Sequence, residues 1–214
     1  MSKLFDIYQV LFRRYGKQNW WPADSAFEIM VGAVLTQNTS WINVEKAIDN
    51  LKQADALSAE AIVNASAKRL ADLLRPSGYF NVKARRLQAY CQWLLAEGGE
   101  AELARRDTDT LRRQLLNVHG IGPETADDIL LYAFGRPVFV IDAYTRRLFS
   151  RLGVIDGSEP YETLRGLFEN TLASDPQLFN EYHALIVIHV KDCCRPKPRC
   201  EQCCLAGQCA SASH

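Results

Sequence analysis

The sequence predicts an all-α protein, and three observations support this prediction. Apolar residues recur every three or four positions along most of the 214-residue chain, which is the spacing of helices that bury one face. Capping residues and glycines mark where these helices begin and end. The extended apolar stretch PVFVI, at 137–141, is too short and isolated to imply a sheet.

The predicted helices follow one another along the chain. Three of them carry a clear apolar face: Leu4, Tyr8, Leu11 and Phe12; Val44, Ala47, Ile48 and Leu51; and Leu87, Tyr90, Cys91, Leu94 and Leu95. Ser25 and Glu28 form a capping box that begins another helix before IMVGAVL. The segment DTDTLRRQLLNV leads by a helix into a glycine turn, and Pro123 suits the first position of the next helix, PETADDILLYAFG. Helices are also predicted over DAYTRRLFSRLG, YETLRGLFENTL and FNEYHALIVIHV.

The charge balance indicates no polyanionic partner for the chain as a whole. Lys and Arg together number 25, and so do Asp and Glu. A surface that binds nucleic acid must therefore be a local patch. The chain has no apolar run of about 18 residues, which a membrane span requires, and MSKLFDIYQVLFRRYG lacks the apolar block and cleavage site of a signal peptide. We expect a cytoplasmic protein with no membrane partner.

The turn in LLNVHGIGPETADDIL is the first candidate site. Gly120 and Gly122 permit positive φ and a close approach of the backbone to a ligand. The amides of the turn and of the next helix's first turn can hold a phosphate oxygen without a charged side chain. A plain helix–turn–helix corner would show the same glycines, so the motif alone leaves both interpretations open.

Asp142 follows the extended stretch in VFVIDAYTRR. A carboxylate at the end of a buried segment is placed to act as a base or as a charge partner. It is also a good N-cap for the helix that begins AYTRRLF. The two roles are compatible.

Six of the seven cysteines lie within CCRPKPRCEQCCLAGQC. Disulfides are unusual in a reducing cytosol, so we expect a metal site. The spacing C-x6-C-x2-C-x5-C, formed by Cys193, Cys200, Cys203 and Cys209, suits either a structural zinc ion or a four-iron cluster. The loop between the first two carries three basic residues, Arg195, Lys197 and Arg199. It suits contact with a phosphate backbone, or it is simply a solvated loop.

The hairpin, the aspartate about 20 residues later and the cysteine spacing together resemble the endonuclease III family, the helix-hairpin-helix DNA glycosylases of base excision repair. The resemblance covers nearly the whole chain. It implies two helical domains that bind DNA across a cleft: 24–136 with the helix-hairpin-helix motif, and 1–23 plus 137–214 with a C-terminal iron-sulfur cluster loop. It also implies that the four cysteines bind a 4Fe-4S cluster rather than zinc. The expected protein is a nucleoid-associated monomer whose partner is double-stranded DNA containing damaged bases.

The resemblance assigns a role to individual residues. FEIMVGAVLTQNT places Gln37 where the family fills the gap left by a flipped base, and GYFNVKA places Tyr79 at a second inserting position. Asp142 would lie in the cleft, stabilise the positive charge that develops on the sugar and orient water. The DNA-binding residues implied at the hairpin are His119, Gly120, Ile121, Gly122 and Thr125.

Glu124 departs from the family pattern. The bifunctional members have a lysine at this position, and its amine forms a Schiff base with the sugar. A carboxylate cannot form an imine, so the sequence predicts a glycosylase without AP-lyase activity. An electrostatic role, as an acid in the first turn of a helix, is the simpler account of Glu124 itself.

Trp20, Trp21 and Trp41 flank the second helix. Together with GIGPETADDILLYA they resemble the 3-methyladenine DNA glycosylase III branch, which implies a base pocket for an alkylated purine. Its positive charge would strengthen stacking on aromatic faces. The cysteine motif instead belongs to the pyrimidine-repair branch. The tryptophans could equally be core residues, and three other functions remain open: a bifunctional pyrimidine glycosylase with AP-lyase activity, a non-catalytic DNA-damage binder and a zinc-stabilised helical interaction protein.

Overall fold

The structure is a computed structural model that describes residues 2–212. All regular secondary structure in this range is helical, which confirms the all-α prediction. The α-helices are α1 Lys3–Tyr15, α2 Ala26–Leu35, α3 Trp41–Gln53, α4 Ala59–Asn64, α5 Ala67–Leu73, α6 Phe80–Ala96, α7 Glu100–Leu103, α8 Thr108–Leu116, α9 Pro123–Asp128, α10 Ala143–Arg151, α11 Tyr161–Thr171 and α12 Pro176–Asp192. Between residues 2 and 212, none of these helices has the length and apolar character needed to cross a membrane.

The chain divides into two compact units. One contains Ala23–Phe134, and the other combines Met1–Pro22 with Gly135–His214. We call them the hairpin unit and the cysteine unit. The assignment of two domains at 24–136 and at 1–23 plus 137–214 stays a prediction.

In the hairpin unit, α2 is surrounded by the core. Every residue from Met30 to Leu35 is buried, as expected for a helix that is apolar on all sides. The predicted capping box begins this helix, because the Glu28 amide donates to Ser25 Oγ at 3.1 Å. The Glu28 carboxylate accepts from the Asp24 amide at 3.1 Å and pairs with Lys52 Nζ at 2.9 Å.

The predicted apolar faces are buried with three exceptions, of which Tyr8 is half-buried and Phe12 and Leu95 are exposed. Val44, Ala47, Ile48 and Leu51 of α3 face the core, as do Leu87, Tyr90, Cys91 and Leu94 of α6. Leu95 is 38% exposed, since a residue directly after Leu94 points about 100° away from it around the helix. Phe12, adjacent to the fully buried Leu11, is exposed for the same reason.

The helix predicted over PETADDILLYAFG changes from α-helical to π-helical hydrogen bonding. It is α-helical as α9 and then continues as one π-helical turn over Ile129–Ala133, in which the Phe134 amide donates to the Ile129 carbonyl. Such turns are rare and occur mostly inside α-helices. The short helices α4, α5 and α7 were not anticipated from the sequence pattern.

The cysteine unit has an aromatic core. Phe139 from the extended PVFVI stretch stacks on Phe168 of α11, with ring centroids 4.2 Å apart. Tyr182 of α12 donates to the Leu4 carbonyl at 2.6 Å and so connects α12 to α1. Because Val138, Phe139, Val140 and Ile141 are buried here, the chain is fixed where it reaches Asp142.

Candidate functional site

The hairpin turn joins α8 to α9. Gly120 has φ +87°, in the left-handed region that favours glycine, whereas Gly122 is extended and precedes Pro123 at the first helical position. Ile121 is buried and anchors the turn, while His119 is exposed. The turn therefore presents its backbone, rather than apolar side chains, to solvent.

A buried ion pair holds the two helices of the hairpin together. Arg112 on α8 donates to both carboxylate oxygens of Asp127 on α9, at 2.6 and 3.1 Å. Asp127 is fully buried, so this bidentate pair is shielded from solvent and has the geometry of the stronger class of charge-assisted hydrogen bonds.

Gln37 belongs to the same network as the turn. Its Nε2 donates to the Gly120 carbonyl at 3.2 Å and to Thr125 Oγ1 at 3.1 Å. Its Oε1 accepts from Arg86 Nη1. A Cβ atom at Gly120 would collide with the Arg86 side chain, so Arg86 also packs closely against the turn. The residue predicted to fill the gap in DNA and the predicted phosphate grip are thus joined by side-chain hydrogen bonds.

Two loops near the turn contain backbone in an unfavourable conformation. Asn38 has φ +54° and Tyr79 has φ +46°, and neither is a glycine. Such conformations cost on the order of 1–3 kcal/mol each and persist where the surroundings impose them. The Tyr79 side chain is 72% exposed, as a residue that inserts into DNA requires. A cavity of about 360 Å³ is lined by residues of both loops and of α6: Gln37, Asn38, Tyr79, Val82, Lys83 and Arg86.

Lys83 was not anticipated from the sequence. Its side chain is 2% exposed, and its Nζ donates to the Leu35 carbonyl at 2.8 Å and to the Ser77 carbonyl at 2.5 Å. Burial, together with a smaller effect of the nearby Arg86 guanidinium, lowers the pKa of this ammonium to about 8. A signal was present in the sequence, because Lys83 is one helical turn before Leu87 on a face predicted to be apolar.

Asp142 caps α10, and the capping interpretation is confirmed. Its Oδ1 accepts from the Thr145 amide at 2.7 Å, and its Oδ2 lies 3.5 Å from Nε2 of His183 on α12. The carboxyl is 9% exposed. Burial alone would raise its pKa, but His183 and the Thr145 amide outweigh that effect, so the pKa lies below its usual value. Asp142 is therefore ionised at neutral pH. His183 is a partner that sequence spacing did not reveal.

Glu124 lies in the first turn of α9 and is exposed. Its charge complements the positive end of the helix dipole.

The three tryptophans are half-buried and belong to different units. Trp20 and Trp21, in the cysteine unit, have ring centroids 6.2 Å apart, whereas Trp41 in the hairpin unit donates its Nε1 proton to Glu45 at 2.7 Å. A pocket formed by all three stays a prediction.

One cavity of about 250 Å³ in the cysteine unit is lined by five cysteines: Cys193, Cys194, Cys200, Cys203 and Cys209. These include the four predicted ligands, whereas Cys204 is not among the lining residues. Within residues 2–212, no group of three or more His, Cys, Asp or Glu side chains is arranged to hold one metal ion. A zinc ion needs its ligands at about 2.3 Å from a single point. A four-iron cluster is larger and takes each thiolate at a different iron atom.

Polar groups surround this cavity. His189 is fully buried, with Nε2 3.5 Å from Cys203 Sγ and Nδ1 3.0 Å from the Tyr15 hydroxyl. Burial lowers the pKa of His189 to about 4, so its imidazole is neutral at pH 7. Burial also raises the pKa of the Cys203 thiol to about 11 in the absence of a metal.

The basic loop, residues 194–199, is held by Arg151 of α10. The Arg151 guanidinium donates to the Arg195 carbonyl at 2.7 Å and to the Pro196 carbonyl at 3.1 Å. The loop closes on itself where the Arg199 amide donates to the Cys193 carbonyl at 3.0 Å. Its three basic side chains, those of Arg195, Lys197 and Arg199, are all exposed.

Comparison with known proteins adds to this geometry. Residues 31–173 match the family described as HhH-GPD superfamily base excision DNA repair protein. A Methanocaldococcus jannaschii protein with the name "putative DNA repair glycosylase" is 48% identical over 211 residues, which are 97% of this chain and 96% of that protein. The endonuclease III of Thermotoga maritima is 30% identical over 184 residues, 86% of this chain and 82% of its own length.

Two solved structures are also similar. The Helicobacter pylori 3-methyladenine DNA glycosylase (MagIII), bound to 1,N6-ethenoadenine, has a TM-score of 0.76 and 31% identity, over 89% of this chain and 98% of its own. Endonuclease III in a non-covalent complex with DNA has a TM-score of 0.84, over 99% and 97% of the two chains. At 20% identity, the second likeness concerns the fold alone.

Proposed function

Because the chain belongs to the HhH-GPD superfamily of base excision DNA repair proteins, we propose that it is a monofunctional DNA glycosylase acting on alkylated purines such as 3-methyladenine. It flips the damaged base out of double-stranded DNA and hydrolyses the glycosidic bond with water. The observation that carries the monofunctional assignment is Glu124, which occupies the position of the lysine in bifunctional members. A carboxylate has no route to a Schiff base.

The substrate assignment rests on one sequence similarity and on the chemistry of three aromatic side chains. The chain is 31% identical to the H. pylori 3-methyladenine DNA glycosylase over 89% of its length. The aromatic residues Trp20, Trp21 and Trp41 suit a cationic alkylated purine, because a positive charge over an aromatic face contributes about 0.5–2 kcal/mol.

In the proposed reaction, Asp142 acts as the catalytic residue. Its buried carboxylate is ionised at neutral pH because its pKa is below the usual value. A fixed negative charge stabilises the cationic sugar as the bond to the base breaks, and the same oxygen atoms can orient the attacking water. His183 keeps the carboxylate charged and in place.

DNA would be held at two places. The amides of the turn, at Gly120, Ile121 and Gly122, hold a phosphate, and His119 and Thr125 flank them. Arg195, Lys197 and Arg199 contact the backbone through their charges. Gln37 and Tyr79 fill the space that the flipped base leaves.

A 4Fe-4S cluster bound by Cys193, Cys200, Cys203 and Cys209 is part of the proposal. All four side chains line the 250 Å³ cavity, as the proposal requires, and Cys194 lines it as well. The cluster would supply a covalent crosslink that fixes both ends of the basic loop. Analysis of purified protein should find about four iron atoms and four sulfides per chain. Stoichiometric zinc without iron, in protein purified under anaerobic conditions, would contradict it.

The second candidate is a bifunctional glycosylase of the endonuclease III type that removes oxidised pyrimidines. The cysteine spacing favours it, as does the 30% identity to the T. maritima endonuclease III. This candidate requires an amine elsewhere in the protein to form the Schiff base, because position 124 carries a carboxylate.

One experiment separates these functions. Duplexes that carry 3-methyladenine, an oxidised pyrimidine or no lesion are incubated with the protein, and products are scored with and without alkali. The proposal expects release of the methylated purine and strand breaks only after alkali. The same reactions are repeated with borohydride, which reduces an imine to a permanent protein–DNA crosslink. Abundant crosslinking by the wild-type protein would overturn the monofunctional assignment, and release of pyrimidines alone would overturn the substrate.

A further inference from the structure

We propose that Lys83 is a positioning residue whose buried ammonium holds the two DNA-inserting loops in one fixed arrangement and so governs base extrusion. The inference rests on the proposed glycosylase function and on the roles proposed for Gln37 and Tyr79. Lys83 itself contacts neither DNA nor the reacting atoms in this scheme.

Each of the two hydrogen bonds of Lys83 reaches a backbone carbonyl that lies two residues before a proposed inserting residue. One goes to the carbonyl of Leu35, the last residue of α2, and Gln37 follows two residues later. The other goes to the carbonyl of Ser77, and Tyr79 follows two residues later. A single side chain thus fixes the backbone directly before each inserting residue.

Burial makes this connection a strong constraint. Lys83 is 2% exposed and Ser77 is fully buried, so water cannot replace either carbonyl partner easily. An ammonium in such surroundings is unfavourable unless it is hydrogen-bonded. Because the Leu35 carbonyl is at the C-terminal end of α2, the helix dipole also favours a cation there. Movement of either loop away from Lys83 would leave a buried charge without one of its partners.

The loops themselves need an external restraint. Tyr79 has φ in the left-handed region, which a bulky side chain adopts only where surrounding contacts impose it; Asn38 also has φ there, although asparagine tolerates this region better. Lys83 is hydrogen-bonded to the backbones of both segments. Arg86, three residues later on α6, holds the Gln37 side chain. Residues of α6 therefore restrain the Gln37 loop through both its backbone and the Gln37 side chain, and they restrain the Tyr79 loop through its backbone.

The test compares Lys83→Met, which keeps the length of the side chain without its donors, with Lys83→Arg and with a control, Lys68→Met, on the exposed surface of α5. Base extrusion is measured by the fluorescence of 2-aminopurine beside a lesion, and base release by single-turnover kinetics per folded molecule. Affinity for undamaged duplex and the free energy of unfolding are measured in parallel.

We expect Lys83→Met to reduce extrusion and base release by up to about 100-fold, the scale of effect that a misplacement of about 1 Å produces. Affinity for undamaged DNA should change little, because the turn and the basic loop are unaltered. Lys83→Arg should recover part of the loss, and Lys68→Met should match the wild type. If Lys83→Met is only less stable, with extrusion and base release per folded molecule equal to those of Lys68→Met, Lys83 is merely structural and the proposal is wrong.

Coupling to the loops provides a second readout. When Gln37 and Tyr79 are both replaced by Ala, Lys83→Met should add little further loss, because residues that act through one another are not additive. A full additional loss in that background would contradict the proposal. Should Lys83→Met not fold, Lys83→Gln retains a donor for one carbonyl, and unchanged extrusion in that variant would be the contrary result.

The same measurements separate this inference from the proposed function. A wild-type protein that extrudes and releases no base from any lesion duplex would refute the proposed function itself. An active wild-type protein with a fully active Lys83→Met variant would refute the role of Lys83 alone.

Discussion

The hairpin turn and the basic loop are both expected to hold a phosphate backbone, yet they are built in opposite ways. The turn presents backbone amides beside an exposed acid, Glu124, and it is held by hydrogen bonds from Gln37 and packing from Arg86. The basic loop presents three exposed cationic side chains and is held by Arg151 through its own carbonyls. The first site depends on backbone geometry, and the second depends on the number of its charges.

This difference suggests a division of labour. Amides in a fixed turn select a phosphate at one position, so the turn sets the register of the protein on DNA. Mobile side-chain charges contribute affinity that is tolerant of position and sensitive to salt. Neither place performs chemistry, which in the proposed mechanism belongs to Asp142.

The substitution with the largest expected effect distinguishes catalysis from DNA binding at the turn and at the basic loop. Asp142→Asn should reduce base release by orders of magnitude, because the neutral amide cannot stabilise a cationic sugar. Affinity for duplex DNA should remain largely intact, since the turn and the loop are unchanged. Single-turnover kinetics and a binding titration check the two expectations. Base release at the wild-type rate would remove Asp142 from the mechanism and favour another catalytic group.

The same variant also tests the charge of Asp142. Its folded-state pKa is lower than the usual 3.8, so ionisation contributes stability that is fully present above pH 3.8 and is lost as the pH falls through the folded pKa. Asn is an equally good N-cap. The wild-type advantage in free energy of unfolding over Asp142→Asn should therefore shrink below pH 3.8. Denaturant titrations at pH 7 and pH 3 measure it, and an advantage that is constant with pH would mean that folding does not lower the pKa of this carboxyl.

Gly120→Ala tests the dependence of the turn on geometry. The alanine must adopt φ near +87° and its Cβ would collide with Arg86, so we expect a loss of about 1–3 kcal/mol in stability together with weaker DNA binding. The salt dependence of binding should stay unchanged, because no charge is lost. Gly122→Ala is the matched control for stability, since that residue is extended and a Cβ there meets no atom within 4 Å. Equal destabilisation by the two substitutions would contradict this account.

These cases show which features a sequence reveals. The cap of α2 by Ser25 and the cap of α10 by Asp142 involve residues three positions apart, so spacing was sufficient to predict both. The residues that hold the site come from distant positions: Lys83 is 48 residues from Leu35, and Arg86 is 49 residues from Gln37. Periodicity indicates that a position faces a core, but it does not indicate which distant carbonyl lies there. For that reason the motifs were predictable, whereas the parts that Lys83 and Arg86 play in positioning them were not.

The dependence of the basic loop on charge is tested by the paired substitution Arg195→Gln with Lys197→Gln. Each lost phosphate contact should flatten the slope of log affinity against log salt by roughly one unit. The pair Lys68→Gln with Arg69→Gln, exposed on α5, removes the same charge elsewhere and should leave the slope at its wild-type value. If both pairs behave alike, the effect comes from net charge and the loop does not contact DNA.

The smallest expected effect concerns Glu124, the acid beside the amides of the turn. Glu124→Gln removes a favourable interaction with the dipole of α9, so the free energy of unfolding should fall by about 0.3–1 kcal/mol. Asp109→Asn, an exposed acid in the first turn of α8, should show a similar loss. Only the change at Glu124 should also strengthen DNA binding slightly, because it removes a negative charge beside the proposed phosphate site. Borohydride crosslinking should remain absent in both variants. Glu124→Gln could instead cause a large loss of base release with stability and binding near normal. That result would show that this carboxylate takes part in the chemistry and that its interaction with the helix dipole is not its whole role.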